Sequence, residues 1–212
     1  MDETKGGTLA RYEGRDRKLA ASKTAVLVVD AQNAELEPEI LEKHPQFAAA
    51  LKERALPAMK RLVDGARANG VEIIYTVIES LTKDGRDRSL DHKLSNIHVP
   101  RGSPLAGVIA DVAPAEDDIV LPKTSSGVFN STNIDYVLRN LGIENVVVTG
   151  FVTDQCVDMA IRDGADRGYY MVCASDACAA YTDERHATGL RAFGGYCRTQ
   201  DVDDILGDIV KG

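Results

Sequence analysis

Three residues of reactive type occupy comparable places along the chain. Asp30 ends TAVLVVD (24–30), Lys123 ends DIVLPK (118–123), and Cys156 follows NVVVTGF (145–151). A thiol, a carboxylate and an ammonium form a nucleophile set: the carboxylate can take the thiol proton and return it to a leaving amine. If Cys156 opens a helix, the free N–H groups and the positive end of the macrodipole favour its thiolate. A neighbouring Lys123 favours it further. The tight GFVTDQC turn (150–156) would aim backbone N–H groups inward, as an oxyanion hole for acyl transfer requires. Each residue also has a plain structural reading. Cysteine is among the most often buried residues, a strand-terminal Asp often caps the next helix, and a Lys after Pro is usually solvated. Only the joint occurrence suggests a site.

Such a site needs a scaffold that brings the three segments together. The apolar runs 24–30, 71–78, 118–123, 145–151 and 169–176 are strand-length, rich in valine and isoleucine, and not alternating. That is the pattern of parallel strands covered on both faces. Helical patterns lie between them: 47–70 with Pro57 marking a kink or break, 103–112, 131–142 closing on Gly142, 156–168 and 182–195. A short strand at 196–200 and a helix at 202–210 finish the chain. The expected fold is α/β: one domain (21–212), a doubly wound, Rossmann-like, mostly parallel sheet of about six strands with helices on both faces. Residues 1–20 read as an N-terminal extension, and residues 79–102 as a long polar connection of the kind usually functional or mobile. In such a sheet ligands bind at the carboxyl ends of strands, where strand order reverses. Asp30, Lys123 and Cys156 all fall at such ends.

Composition narrows the partners. A net charge of −8 disfavours nucleic acid, and no apolar run reaches the roughly 20 residues of a membrane span. The polar stretch MDETKGGTLARYEGRDRK (1–18) has no apolar h-region, so a cytoplasmic protein acting on a small molecule is expected. The four cysteines (Cys156, Cys173, Cys178, Cys197) form no C-x-x-C and no zinc-ligand spacing. Free thiols are expected, with Cys173, Cys178 and Cys197 as packed structural residues.

The stretches VLVVDAQN (26–33), VLPKTSSGVFNSTNIDYVLRNLGI (120–143), NVVVTGFVTDQCVDMAIRDGADRGY (145–169) and SDACAAYTDERHATGL (175–190) resemble the isochorismatase-like cysteine hydrolases. These include nicotinamidase, N-carbamoylsarcosine amidase, ureidoacrylate amidohydrolase and biuret hydrolase, and the likeness runs from about residue 24 to 210. It implies a Cys–Asp–Lys triad acting on an amide or ureide through a thioester. Asp30 would be the base, Cys156 the nucleophile and Lys123 the charge-balancing group. The N–H groups of Thr153 and Cys156 would form the oxyanion hole, with a cis peptide bond at Val152–Thr153. A dimer or tetramer is implied, and no cofactor.

The chain also departs from parts of that family. Its four histidines (His44, His92, His98, His186) form no D-x-H-x-x-H metal stretch of the nicotinamidase kind, so no metal is expected. Isochorismatases that cleave a vinyl ether work without a cysteine nucleophile, so Cys156 counts against that reaction. Nicotinamidase-like or isochorismatase-like activity stays as the alternative, and a catalytically silent binding or regulatory member of the fold as another. The long connection carries Glu79, Lys83, Arg86 and Arg88. An arginine there would pair with a substrate carboxylate and Glu79 would accept ureide N–H bonds, unless all are solvated charges. Phe129, Asn130 and Tyr181 are further candidates to line the site, or else packing and capping residues. The expected substrate is a small, carboxylate-bearing amide or ureide.

Overall fold

The computed structural model describes residues 16–211. The strands are β1 (Leu19–Ala20), β2 (Thr24–Val29), β3 (Glu72–Ile78), β4 (Ile119–Lys123), β5 (Asn145–Phe151), β6 (Tyr170–Ala179), β7 (Arg198–Gln200) and β8 (Ile209–Val210). Six form one sheet in the order β4-β3-β2-β5-β6-β7, with every pair parallel. The strand order reverses between β2 and β5, which lie side by side at the centre. The small β1–β8 pair is separate and ties residues 19–20 to 209–210, so the part of the expected extension within 16–20 joins the fold. Residues 1–15 lie outside the described residues.

Both faces of the sheet are buried, which is why its strands read as unbroken apolar runs. On β2, Val26 and Val28 face one layer while Ala25, Leu27 and Val29 face the other. The first layer includes α2 (Pro45–Ala50), α3 (Leu56–Ala68) and α9 (Val202–Asp208), through Phe47, Met59, Leu62 and Ile205. The second includes α6 (Ile134–Asn140), α7 (Asp158–Asp166) and α8 (Asp183–Phe193), through Leu138, Ile161 and Phe193. Each fully buried Leu or Phe side chain contributes about 1.5–3 kcal/mol of transfer free energy. Among the described residues no helix is long and apolar enough to cross a membrane.

Several boundaries differ from the sequence reading. Pro57 does not break the 47–70 helix; the backbone winds wide over Leu51–Ala55 and Pro57 then sits in the first turn of α3. A π-wound turn accommodates the missing N–H and the ring's clash with the preceding turn. The expected helix 103–112 is two short 3-10 turns, Pro104–Ala106 and Ala110–Val112, parted at Gly107. The expected 131–142 helix starts earlier and is divided into α5 (Val128–Ser131) and α6. Two short helices were missed: α1 (Pro38–Lys43), and α4 (Leu90–Leu94) inside the long connection. β6 runs three residues past Asp176, through a register shift opposite Val148 and Gly150. Arg54 holds that irregularity by donating to the carbonyls of Ser175, Asp176 and Cys178.

Candidate active site

β2 ends at Val29, and Asp30 turns the chain with φ +52°. This left-handed conformation is uncommon outside glycine but accessible to Asp. The Asp30 N–H donates to Thr76 O on β3 (3.0 Å), and Thr76 Oγ1 donates to Asp30 Oδ1 (2.9 Å). The carboxylate is thereby fixed over the sheet edge and buried. Just beyond it, buried Gln32 clasps β3: its Oε1 accepts from Ile78 N–H (2.6 Å) and its Nε2 donates to Ile78 O (3.1 Å).

Lys123, the last residue of β4, is fully buried and reaches across β3 toward the centre. Its Nζ lies 2.9 Å from Asp30 Oδ2, an ion pair off the ideal hydrogen-bond direction. It donates to Ser125 O (2.8 Å) and Ser126 O (3.3 Å), and lies 3.5 Å from Cys156 Sγ. One ammonium nitrogen therefore contacts both the carboxylate and the sulfur.

Cys156 sits inside a π-wound turn, Thr153–Val157, that continues into α7. It lies in the first turn of the helix, where backbone N–H groups lack intrahelical acceptors. The cis peptide bond falls at Phe151–Val152, one bond earlier than the resemblance implied. Thr153 is fully buried, and its Oγ1 is 2.8 Å from His186 Nδ1 on α8. Burial, then the Arg54 charge, lowers the His186 pKa to about 4, so its ring is neutral at neutral pH.

Electrostatics at Cys156 oppose the thiolate that a helix N-terminus and Lys123 would favour. Burial and then the Asp30 charge push the Cys156 thiol up to about 12, and Lys123 opposes them too weakly to prevail. Cys156 rests as a thiol beside an ionic Asp30–Lys123 pair. Burial alone would lower the Lys123 pKa, but Asp30 and Cys156 more than offset it and the net shift is upward.

Asp30 and Cys156 line a cavity of about 790 Å³, and Lys123 contacts both. Of the other predicted lining residues, Tyr181 borders this cavity, its ring stacked on His44 at 4.1 Å. Glu79, Arg86, Arg88, Phe129 and Asn130 do not. Glu79 Oε1 accepts from Gly102 N–H (2.7 Å), Arg88 donates to Ile97 O (2.8 Å), and Arg86 pairs with exposed Asp84. These side chains satisfy the loop itself. Phe129 packs on Tyr169, and Asn130 is exposed beside Asp163. The long loop still reaches the cavity, but through residues from Asp91 to Val99. Among them His92 is buried, its Nε2 3.4 Å from Ser126 Oγ.

Sequence reasoning passed over Glu35, on the short turn Asn33–Leu36 directly after Asp30. It lines the cavity, and its buried Oε2 has no hydrogen-bond partner. Burial, then the charge of Asp30, pushes its pKa up to about 7 against the pull of Lys123. The available signal was its place just past a strand's carboxyl end, where a second carboxylate has no packing role.

The Isochorismatase domain model matches residues 24–201. A ureidoacrylate amidohydrolase, RutB, of Rhizobium rhizogenes is 33% identical over 176 residues, covering 75% of this chain and 71% of that protein. An N-carbamoylsarcosine amidase of an Arthrobacter species is 26% identical over 170 residues, covering 77% of this chain and 62% of that protein. The crystal structure of a cysteine hydrolase from Pseudomonas syringae pv. phaseolicola superposes with a TM-score of 0.78 at 25% identity, covering 90% of this chain and 94% of that one. The matched segment carries Lys123 and the two residues that converge on its nitrogen, Asp30 and Cys156, and the chain belongs to the isochorismatase family.

Proposed function

We propose that the chain is a cysteine-dependent hydrolase of a small amide or ureide, with Cys156 as nucleophile, Asp30 as general base and acid, and Lys123 as their electrostatic partner. The observation that carries this is the Lys123 nitrogen, 2.9 Å from Asp30 Oδ2 and 3.5 Å from Cys156 Sγ. A thiol held up to about 12 needs a base at the moment of attack, and Asp30 is the carboxylate beside it. As Sγ bonds to the carbonyl carbon, Asp30 takes the thiol proton. The oxygen becomes an oxyanion, which the N–H groups of Thr153 and Cys156 receive. Protonated Asp30 gives its proton to the departing nitrogen as the C–N bond breaks, leaving a thioester on Cys156. Water then attacks the thioester, Asp30 takes its proton, and the thiol is restored. Lys123 holds Asp30 in place through their ion pair and offsets the charge that builds on sulfur.

The named amidohydrolase and amidase relatives support a C–N substrate. A binding module has no need to bury a lysine between a carboxylate and a thiol, where desolvation costs several kcal/mol per ion.

The test is ammonia release by wild type and Cys156→Ser across ureides, carbamoyl amino acids, diamides, maleamate and nicotinamide, with intact-mass detection of an acylated Cys156. Turnover in wild type, its loss in the variant and a transient acyl adduct are expected. Hydrolysis surviving in Cys156→Ser would overturn the assignment of the nucleophile.

A further inference from the structure

The charges lining the cavity are unevenly balanced. Asp30 is paired with Lys123, Asp154 with Arg185 at 2.6 Å, and Asp158 with Arg162. Glu35 forms no ion pair among the described residues, and its Oε2 is buried without a hydrogen-bond partner. The rim adds exposed Glu37, Glu39 and Asp91, against a single lining cation, the exposed Lys43. Arg86 and Arg88, which would have met a substrate carboxylate, are engaged elsewhere. Among the described residues the cavity thus offers an unpaired carboxylate, Glu35, and no buried, unpaired cation.

Resting on the hydrolase reading above, we propose that Glu35 selects the substrate by the end remote from the scissile carbonyl, accepting hydrogen bonds from an N–H-bearing group and repelling a carboxylate. That group is a terminal amide, a ureide or a protonated amine. Above pH 7, where Glu35 is ionised, its carboxylate accepts only and has lone pairs to fill, so an N–H donor meets it through a charge-assisted bond. A substrate carboxylate in the same place would leave two acceptors facing each other, and sites built to hydrogen-bond one group discriminate strongly against analogues that cannot. This departs from the carboxylate-bearing substrate expected from the sequence.

The experiment uses matched pairs that differ only at the remote end: succinamide against succinamate, and 3-ureidopropionamide against 3-ureidopropionate. For wild type at pH 8, kcat/KM is expected to be at least tenfold higher for the N–H-ended member of each pair. Glu35→Gln, checked for folding by its melting curve, is expected to raise KM for that member about tenfold with kcat little changed, and to narrow the preference. Equal or reversed preference in wild type, or a Glu35→Gln variant that leaves the ratio unchanged, overturns the proposal. If wild type hydrolyses none of the four, the wider panel above decides the hydrolase reading, and calorimetric binding to Cys156→Ser decides the role of Glu35. Tighter binding of the N–H-ended member, lost on adding Glu35→Gln, supports it; equal binding, or none, overturns it.

Discussion

Lys123 Nζ lies 2.9 Å from Asp30 Oδ2, with 0 % of one side chain and 1 % of the other exposed. The two residues come from the ends of β4 and β2, with β3 between them. Removing one partner of such a pair strands the other's charge in a dry interior, which costs about 3–5 kcal/mol, whereas removing both costs much less. Lys123→Met should therefore lose about 3–5 kcal/mol in urea denaturation, and Asp30→Asn/Lys123→Met should recover a large part of it. Neither should turn over substrate. A double variant as unstable as the sum of the singles would contradict the pairing.

The state of the Cys156 thiol gives a second prediction. With its pKa held up to about 12, wild-type Cys156 should react with iodoacetamide at pH 7.5 at least roughly a hundredfold slower than a free thiol. Asp30→Asn removes the repelling charge while Lys123 stays, so alkylation of Cys156 should become faster. Turnover should nevertheless fall by about 10²–10⁴, because the base is lost. Peptide mass spectrometry follows the labelling, and rapid wild-type alkylation would show a thiolate at rest.

Gly150 is fixed by the strand next to it. Its φ is +127°, and a Cβ there would lie 2.0 Å from Val29 O on β2. No side chain yields in that contact; backbone must move. Gly150→Ala should cost at least about 3 kcal/mol, combining backbone strain with overpacking. It should also displace Asp30 from the Cys156 turn, so activity should fall with stability. A melting temperature within a few degrees of wild type would mean the strands separate more readily than this packing allows.

Glu35 makes stability depend on pH with a defined sign. A carboxyl held up to about 7 when folded, against 4.5 ordinarily, binds more protons in the folded chain across that window. Its contribution therefore falls as pH rises from about 4.5 to about 7. Glu35→Gln should match wild type near pH 4 and exceed it by roughly 2–3 kcal/mol at pH 8. His186 acts in the opposite sense: its lowered pKa makes folding less favourable as pH falls from 6.5 to about 4. It is present in both proteins and drops out of the difference, which denaturation at a series of pH values measures. A difference that shrinks with rising pH would reverse the assignment.

The central strands were legible in the sequence because both their faces are buried, and 145–151 is apolar over most of its length for that reason. Helix ends were legible where capping is local: Thr182 Oγ1 accepts from Arg185 N–H at the start of α8, and Gly142 follows α6 with φ +69°. The 103–112 segment was not, since its apolar spacing suits a helix while Gly107 and contacts to Asn33 hold it as two turns. Arg86 and Arg88 misled for a related reason. Their residue type fits an anionic ligand, but the loop's own carbonyls and Asp84 claim them first.

By itself the sequence determined the doubly wound sheet and the reactive types at its strand ends, because hydrophobic period and strand-end chemistry are local properties. Only the tertiary structure decided that β2 and β5 lie side by side at the reversal of strand order, that Lys123 reaches over β3 to both partners, and that Glu35 turns into the same cavity. It also decided the charge states. Whether Cys156 is thiol or thiolate depends on how much water is excluded and which charge stands nearer, and both are set by segments far apart in the chain.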